Sequence, residues 1–388
     1  MLTSKIHLLF ISSWFPDREN PSLGNFVVKH LEILTEVTKL TLLQVEKIQD
    51  CDKRFQIEVS EQNGYRKVHV LYSASGGFLS KYLNLIRYIR AYYQGWKKVK
   101  TYYGKPDIIH ANVLYPVGII CLLAKYIYGL PYVVSEHWTV YMKSDPVNLS
   151  KPEQLIIQWA ARKASYVMPV SESLMIEMQK YGINAQWKVV PNVINPHVFY
   201  PNKEAVQCNP KQIFHVSSFD NCQKNIEGIL KAAVLLLKYR SDFVLHIAGD
   251  GDLEEVQNKA KELDLDSRYL KFSSSMSHEA IANELNRSAF FVLFSNFESF
   301  SVVLAESIAC GCPVVTSKCG GLTDVIPIFG GLQVESGNIQ QLCDSMNYML
   351  NHYFEYPKDK MFHWVHLQFS PEVIRNEFLE IYKNTLNQ

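Results

Sequence analysis

The sequence has few cysteines, almost no excess of charge of either sign and no long uninterrupted apolar segment. Its 388 residues include eight cysteines, too few for a disulfide framework in a chain of this length. Most of them lie in apolar stretches, which indicates a reducing compartment. Lys and Arg total 39 and Asp and Glu total 38, a net charge of +1. A dedicated nucleic-acid-binding protein is usually far more basic, so we expect no nucleic-acid partner.

The apolar segments are too short to cross a membrane. The first of them, residues 6–11, runs directly into a loop that contains Pro and Asp, so no signal peptide is predicted. The best candidate for a membrane span, residues 113–135, is interrupted by Pro116 and Lys125 and is better explained as a buried helix followed by a buried strand. We therefore expect a cytoplasmic protein.

The sequence contains enough apolar residues to form complete hydrophobic cores. Hydrophobic residues make up 47% and charged residues 20%, which excludes a wholly disordered chain. At roughly 150 residues per domain, the length predicts two domains. Residues 1–190 hold 23 basic and 15 acidic side chains, whereas residues 191–388 hold 16 and 23. The first half is therefore suited to meet an anionic surface or substrate.

Short apolar runs alternate with longer helical patterns, which is typical of βαβ units and parallel sheets. The sequence predicts an α/β protein with two Rossmann-like domains whose parallel sheets face a cleft between them. We place the domains at residues 1–192 and 193–370, with a Pro/Asn-rich connection at 191–210 and a final helix, 371–388, packing back on the first domain. Strands are predicted at 6–12, 40–45, 107–111, 132–135, 166–170, 213–217, 243–248, 269–272, 289–293 and 313–316, and helices at 25–37, 225–239, 253–263, 278–287 and 300–310.

The segment with the clearest chemistry contains two carboxylates, Glu298 and Glu306, around a predicted helix start. Eight helical residues rise about 12 Å, a spacing that suits holding the two ends of a nucleoside diphosphate sugar better than a shared acid–base step. The amides of residues 299–302 would favour a diphosphate, and Gly320 and Gly321 permit close backbone approach. On spacing alone, an ordinary βαβ unit with two surface glutamates explains the pattern equally well.

This segment resembles the E-x7-E signature of the family 4 retaining glycosyltransferases. Here the pattern is Glu298–x7–Glu306, followed by Gly311–Cys312–Pro313–Val314–Val315 and the Gly320–Gly321 pair. Further segments similar to the family extend over nearly the whole chain: SSWFPDRENPSLGNFVVKH with Gly24, VSEHWTVY with His137, VVPNVINPHVF at 189–199, and HIAGDGDLEE with Gly249.

The resemblance implies a GT-B fold and a role for each matching residue. Glu298 would hold hydroxyls of the donor sugar, Glu306 would hold the ribose, Lys224 would neutralise the departing diphosphate, and His137 would contact the sugar near the reacting carbon. Transfer would retain the anomeric configuration without metal or cofactor, with a UDP- or GDP-sugar as co-substrate. The implied donor-binding residues are Gly24, Ser218, Gly249, Ser299, Phe300, Ser301, Val302 and Glu306.

Two positions depart from the family pattern. Ser218 stands where many members carry an arginine, which removes one cation from the diphosphate, and Asp324 stands where a glutamate often follows the glycine pair. Two alternatives therefore stay open: a catalytically silent sugar-nucleotide- or glycan-binding protein, and a GT-B-type nucleotide-sugar epimerase. We expect the nucleotide base to bind near Lys271–Met276, where the serine run does not decide between uridine and guanosine. The acceptor is expected near residues 20–30.

Three weaker signals for functional sites each allow two interpretations. The Asp pairs at 50/52, 250/252 and 264/266 could hold a metal or form turns. Cys310, Cys312 and Cys319 could bind zinc, but their spacing favours buried thiols. His110, at the end of a predicted strand, is as well explained by a structural as by a functional role.

A basic, aromatic segment covers residues 81–105, with seven basic side chains, seven aromatic ones and no acid. Read as a helix, it fits docking on an anionic membrane surface, and equally a core-facing stripe with a solvated flank. With the resemblance, this predicts transfer of a sugar to a glycan or lipid-linked glycan in bacterial surface polysaccharide biosynthesis. The enzyme would lie peripherally on the inner face of the cell membrane.

Overall fold

The computed structural model describes residues 5–17, 23–48, 55–74 and 80–387. Within these ranges the chain builds two sheets, and the first has seven strands in the order β3-β4-β2-β1-β5-β6-β7. Its strands are parallel except for β3, which pairs antiparallel with β4. They are β1 (His7–Ser12), β2 (Lys39–Ile48), β3 (Phe55–Gln62), β4 (Tyr65–Ser73), β5 (Ile108–Asn112), β6 (Tyr132–Glu136) and β7 (Tyr166–Pro169).

Helices cover both faces of the first sheet. Every residue of β1, β5 and β6 is buried, because a parallel strand between two helical layers has no solvated face. The N-cap predicted at Ser171 is confirmed, since its hydroxyl accepts a hydrogen bond from the Leu174 amide at 3.1 Å. The helices are α1 (Asn25–Thr35), α2 (Ser80–Tyr103), α3 (Val117–Tyr128), α4 (Lys151–Lys163) and α5 (Glu172–Lys180).

The hairpin of β3 and β4 was not among the predicted elements, although a local signal for it is present. Asn63 and Gly64 form its turn with φ of 49° and 80°. Asn-Gly between two strands favours this kind of tight turn, because both residues tolerate positive φ. The hairpin extends the edge of the sheet beside β2.

The second sheet, within the described residues, has six strands in the order β10-β9-β8-β11-β12-β13. This is the doubly wound order, which reverses direction between β8 and β11 and opens a crevice there. Its strands are β8 (Lys211–Ser218), β9 (Phe243–Asp250), β10 (Leu270–Ser273), β11 (Phe290–Leu293), β12 (Val314–Lys318) and β13 (Gly331–Glu335). Its helices are α6 (Asn221–Lys224), α7 (Ile226–Leu236), α8 (Leu253–Glu262), α9 (His278–Arg287), α10 (Val302–Ala309), α11 (Leu322–Val325) and α12 (Ile339–His352).

Two of the predicted helices begin at a different residue in the structure. The helix predicted over 225–239 is preceded by the separate turn α6, because Asn225 adopts a left-handed conformation (φ 50°) and caps α7 with its own side chain. The helix predicted over 300–310 begins at Val302 because Ser301 is its N-cap. Residues 299 and 300 therefore lie in the preceding loop.

The chain ends with two helices that connect the domains, α13 (Lys358–Phe369) and α14 (Pro371–Leu386). α13 packs in the core beside α10. α14 lies on the first domain, where Phe378 and Tyr382 share a core with residues of β1 and α1. No helix in the described ranges combines the length and apolar character that crossing a membrane requires.

Candidate active site between the two domains

The carboxyl ends of the two sheets face each other across a cleft. One part of it, of about 360 Å³, is lined by residues from both domains. The donor-binding residues predicted individually that line it are Ser218, Gly249, Val302 and Glu306. The lining also includes Asn25, Phe26 and Lys29, from the segment where the acceptor is expected, and Ser275 and Met276, from the segment where the base is expected.

Glu298 and Lys224 form an ion pair beyond the carboxyl ends of β11 and β8, but neither residue lines this part of the cleft. Glu298 is 3% exposed and follows β11, whereas Lys224 ends α6 after β8. The Ser295 hydroxyl also donates to Glu298 Oε1 at 3.0 Å, and the Gln223 amide lies 3.4 Å from Oε2. Because a buried carboxylate needs such partners, this arrangement fixes both the carboxylate and the ammonium at the edge of the sheet.

The glycine pair holds the loop that carries Glu298. The Gly321 amide donates to the Glu298 carbonyl at 2.8 Å. A Cβ at Gly320, whose φ is +46°, would lie 2.1 Å from that same carbonyl oxygen. The close approach expected of these glycines is therefore made by the backbone of the site itself.

The loop before α10 presents backbone rather than side chains to the cleft. The Ser301 hydroxyl accepts from the Leu304 amide at 3.3 Å and so starts the helix. Phe300 is 8% exposed and packs against Phe369. The Ser299 carbonyl accepts the Ser171 hydroxyl of the first domain at 2.6 Å. Amides at a helix start have no acceptor within the helix. The backbone amides of Val302 and Val303 are therefore suited to hold an anion.

Glu306 contacts a cation that the sequence analysis missed. Its carboxylate, with 4% of the side chain exposed, lies 3.3 Å from Lys29 Nζ on α1. The two residues are 277 positions apart and belong to different domains. The basic excess of the first half was the available signal, but it did not single out this lysine. The structure thus places this cation–carboxylate pair in the lining of the cleft.

Asp324, the second departure from the family pattern, joins the domains. Its carboxylate accepts the amide and the hydroxyl of Ser173, at 2.9 Å and 3.2 Å. Ser173 lies in the first turn of α5, where a negative charge is favourable. The shorter side chain therefore has a defined partner in the first domain.

His137 is buried just beyond the end of β6, at 3% exposure. Its ring lies 4.6 Å from the Phe26 ring and 5.7 Å from that of His30, and among the described residues neither ring nitrogen has a hydrogen-bond partner. Burial, and next the neighbouring histidines, hold the pKa of His137 well below its usual range. The imidazole is therefore neutral, and both buried nitrogens have unused hydrogen-bonding capacity.

Glu136 fixes the backbone at His137, and Gly24 fixes the start of the helix that carries Phe26. Glu136 accepts the amides of Leu114, His137 and Trp138, and burial raises the pKa of its carboxyl to about 7. Gly24, with φ of +67°, starts α1, and a Cβ there would lie 2.4 Å from the Trp14 carbonyl oxygen.

The weaker signals mostly have structural explanations. His110 contacts the Tyr382 hydroxyl at 2.5 Å and the Ser135 hydroxyl at 2.8 Å, so it joins α14 to the first sheet. Asp252 and Asp266 cap helical turns, and the 50/52 pair lies outside the described residues. Cys310 and Cys312 are buried thiols, and Cys319 is partly buried. In the described ranges, no three His, Cys, Asp or Glu side chains are grouped as a metal site.

Family models match both halves of the chain. The model described as "Glycosyltransferase Family 4" matches residues 49–198, and that of "Glycosyl transferases group 1" matches residues 199–362. The chain belongs to the family 4 glycosyltransferases. A relative from Bacillus anthracis, N-acetyl-alpha-D-glucosaminyl L-malate synthase, is 27% identical over 251 residues, which cover 61% of this chain and 61% of that protein.

Solved structures place this family 4 member in the GT-B fold. Sucrose-phosphate synthase from Thermosynechococcus elongatus matches with a TM-score of 0.78 and 18% identity over 98% of this chain and 99% of that one. HepE from Anabaena, solved in complex with UDP, matches with a TM-score of 0.73 and 15% identity over 98% and 100%. The predicted fold of two Rossmann-like domains is confirmed.

Proposed function

We propose that this family 4 member is a retaining glycosyltransferase that moves a sugar from a nucleoside diphosphate to a glycan or lipid-linked glycan in bacterial surface polysaccharide biosynthesis. The observation that carries the proposal is the ion pair of Lys224 and Glu298 beyond the carboxyl ends of β8 and β11, the two strands between which the crevice of the second sheet opens. HepE, which shares the fold, was solved with UDP. This supports a UDP- or GDP-sugar as the donor.

The chemistry we propose is stabilisation of the leaving group. Breaking the glycosyl–phosphate bond builds negative charge on the diphosphate and positive charge on the sugar. A fixed ammonium at Lys224 and the free amides at the start of α10 would meet the former charge, which lowers the barrier because they need no reorganisation. Glu298 would hold sugar hydroxyls, and the neutral His137 would accept or donate one hydrogen bond to the sugar. These groups supply the positive charge without a metal ion.

Donor binding and turnover separate this proposal from its alternatives. We expect UDP or GDP, and the corresponding sugars, to raise the melting temperature by a few degrees at about 100 times Kd. We also expect the cognate sugar nucleotide to be hydrolysed slowly without acceptor. A silent binding protein would show the shift but no turnover, and an epimerase would change the sugar without releasing it. Absence of a shift with every nucleoside diphosphate contradicts the proposal.

Lys29 would supply the second cation on the diphosphate, in place of the arginine that many family members carry at the position of Ser218. It lines the same cleft, and its ammonium would be released from Glu306 when the ribose hydroxyls bind that carboxylate. We expect Lys29→Met to raise the donor KM tenfold or more, because a charge-assisted hydrogen bond to the diphosphate is lost. Steady-state kinetics check this, with Lys180→Met on exposed α5 as the matched control. A lower donor KM in Lys29→Met would show instead that the lysine only obstructs Glu306.

Docking of the 81–105 segment on an anionic membrane remains part of the proposal. Helix α2 buries Tyr92, Trp96 and Val99 against the sheet but leaves Tyr82 (71%) and Ile86 (48%) exposed. The helix thus has a core-facing stripe and a separate exposed apolar stripe.

We expect sedimentation with phosphatidylcholine vesicles only when they contain phosphatidylglycerol. The variant Lys97→Ala/Lys98→Ala/Lys100→Ala should bind on the order of 100-fold more weakly, at about 1 kcal/mol per lysine. The matched control, with Lys231, Lys238 and Lys259 of the second domain changed to alanine, should bind like the unchanged chain. Equal binding of both variants would remove the assignment.

A further inference from the structure

The layer of helices over the first sheet does not close above its central strand. A groove remains between α2 and α3, which we call the seam. Its apolar part has a volume of about 350 Å³, within the range of small-molecule sites. Leu9 and Ile11 of β1 form its floor, and Tyr93, Leu123 and Ile127 form its rim. Arg90 is the charged side chain among the residues that line it.

A polar pocket lies next to the seam. This pocket, of about 240 Å³, lies where β1 and β2 end at the interdomain edge, and Ser12, Gln44, Glu46 and Lys47 line it. Gln44 is 4% exposed and donates its amide to the Pro16 carbonyl at 3.0 Å. Its Oε1 is buried and has no hydrogen-bond partner among the described residues. Such an acceptor is a suitable partner for a ligand hydroxyl.

Two tyrosines of α2, packed edge to face, lie between the seam and this polar pocket. Tyr88 lines the polar pocket, and Tyr92, one turn later, lines the apolar part, with ring centroids 4.9 Å apart. The same sequence of polar and then apolar lining is found along α3. Pro116, just before this helix, lines the polar pocket, and Ile120 lines the apolar seam. The polar pocket and the apolar seam therefore follow one another along α2 and α3, with the polar pocket nearer the carboxyl end of β1.

The rim matches an amphiphile with a negative group. Ile127 is 63% exposed at the open side. Arg90 lines the apolar part, and Lys97 Nζ lies 4.5 Å from the Tyr93 ring that forms the rim. The floor residues Leu9 and Ile11 are at most 2% exposed, so the groove is narrow and suits a slim chain better than a broad protein surface.

We propose that the seam binds an amphiphilic acceptor, with its polar, hydroxyl-bearing head at Gln44 and one hydrocarbon chain between α2 and α3. The role of the head as acceptor rests on the proposed glycosyl transfer, whereas binding of the chain does not. The proposal commits the acceptor to the lipid-linked class and places its reactive end at the cleft.

Calorimetry with n-alkyl β-D-glucosides of six to fourteen carbons, each below its micelle concentration, tests the chain. Each added methylene should strengthen binding up to about fourfold, until the groove is filled and the affinity levels off. Ile127→Asp should weaken binding of the decyl compound at least tenfold. Ile328→Asp, at a fully exposed isoleucine of the second domain, should not. Decyl phosphate should bind more tightly than decyl glucoside, and Arg90→Gln should remove that difference.

Several results would overturn the proposal. Affinity that rises without levelling off, or falls equally in both aspartate variants, would indicate unspecific partition. Self-association in sedimentation velocity that Ile127→Asp abolishes would show that a second copy covers the seam. UDP and GDP thermal shifts on the same samples report the donor site separately, so failure of the seam is distinguishable from failure of the proposed transfer.

Discussion

Lys224→Ala is expected to slow release of the nucleoside diphosphate by about a hundredfold to a thousandfold, the usual effect of removing one preorganised donor to a developing negative charge. In the structure this ammonium is held by Glu298 and has little exposed surface, 16% of the side chain. Its position is therefore fixed before the reaction. Initial rates of diphosphate release from the cognate donor measure the effect.

The same substitution leaves Glu298 buried without its counter-charge, so loss of folding must be separated from loss of chemistry. The double variant Lys224→Met/Glu298→Gln removes both charges and should fold, as near-ultraviolet circular dichroism would show, yet remain as slow as the single variant. Lys231→Ala, at an exposed lysine paired with Glu227 on α7, is the matched control and should keep full activity. If Lys224→Ala kept full turnover while folded, the site assignment would be wrong.

Gly320→Ala is expected to destabilise the protein by about 2–4 kcal/mol and to abolish the nucleotide-dependent thermal shift. Part of the loss is conformational, since left-handed backbone costs about 1–2 kcal/mol for a residue with a Cβ. The rest is steric, because the added carbon would lie 2.1 Å from the Glu298 carbonyl oxygen and 2.9 Å from the Met142 side chain. The loop that carries Glu298 would have to move.

Urea unfolding measures this prediction, with Gly104→Ala as the control. Gly104 also has positive φ, +86°, but an added Cβ there would meet nothing within 4 Å. The control should therefore show the conformational part alone and keep the nucleotide shift. Equal stability of the two variants would mean that the loop relaxes freely, and the glycine pair would then have no role in holding Glu298.

The positions of most strands and helices could be predicted because the signals for them lie in neighbouring residues. The alternation of buried strands with helices predicted most of the strands near their observed positions, and the cap at Ser171 and the helix His278–Arg287 were identified from a few adjacent residues. The β3–β4 hairpin shows that a local signal can still be overlooked, since Asn63-Gly64 was present. The start of α10 was predicted two residues too early, because the N-cap at Ser301 was not recognised.

The sequence by itself determined the fold class and family, because strand and helix periodicity and the motif around Glu298 and Glu306 are properties of neighbouring residues. Only the tertiary structure decided which side chains meet across the cleft: Lys29 with Glu306, Ser171 with Ser299, and Ser173 with Asp324. These partners are between 128 and 277 positions apart. No periodic pattern relates residues so distant, and their contacts arise from how the two sheets, joined through α13 and α14, are placed relative to each other.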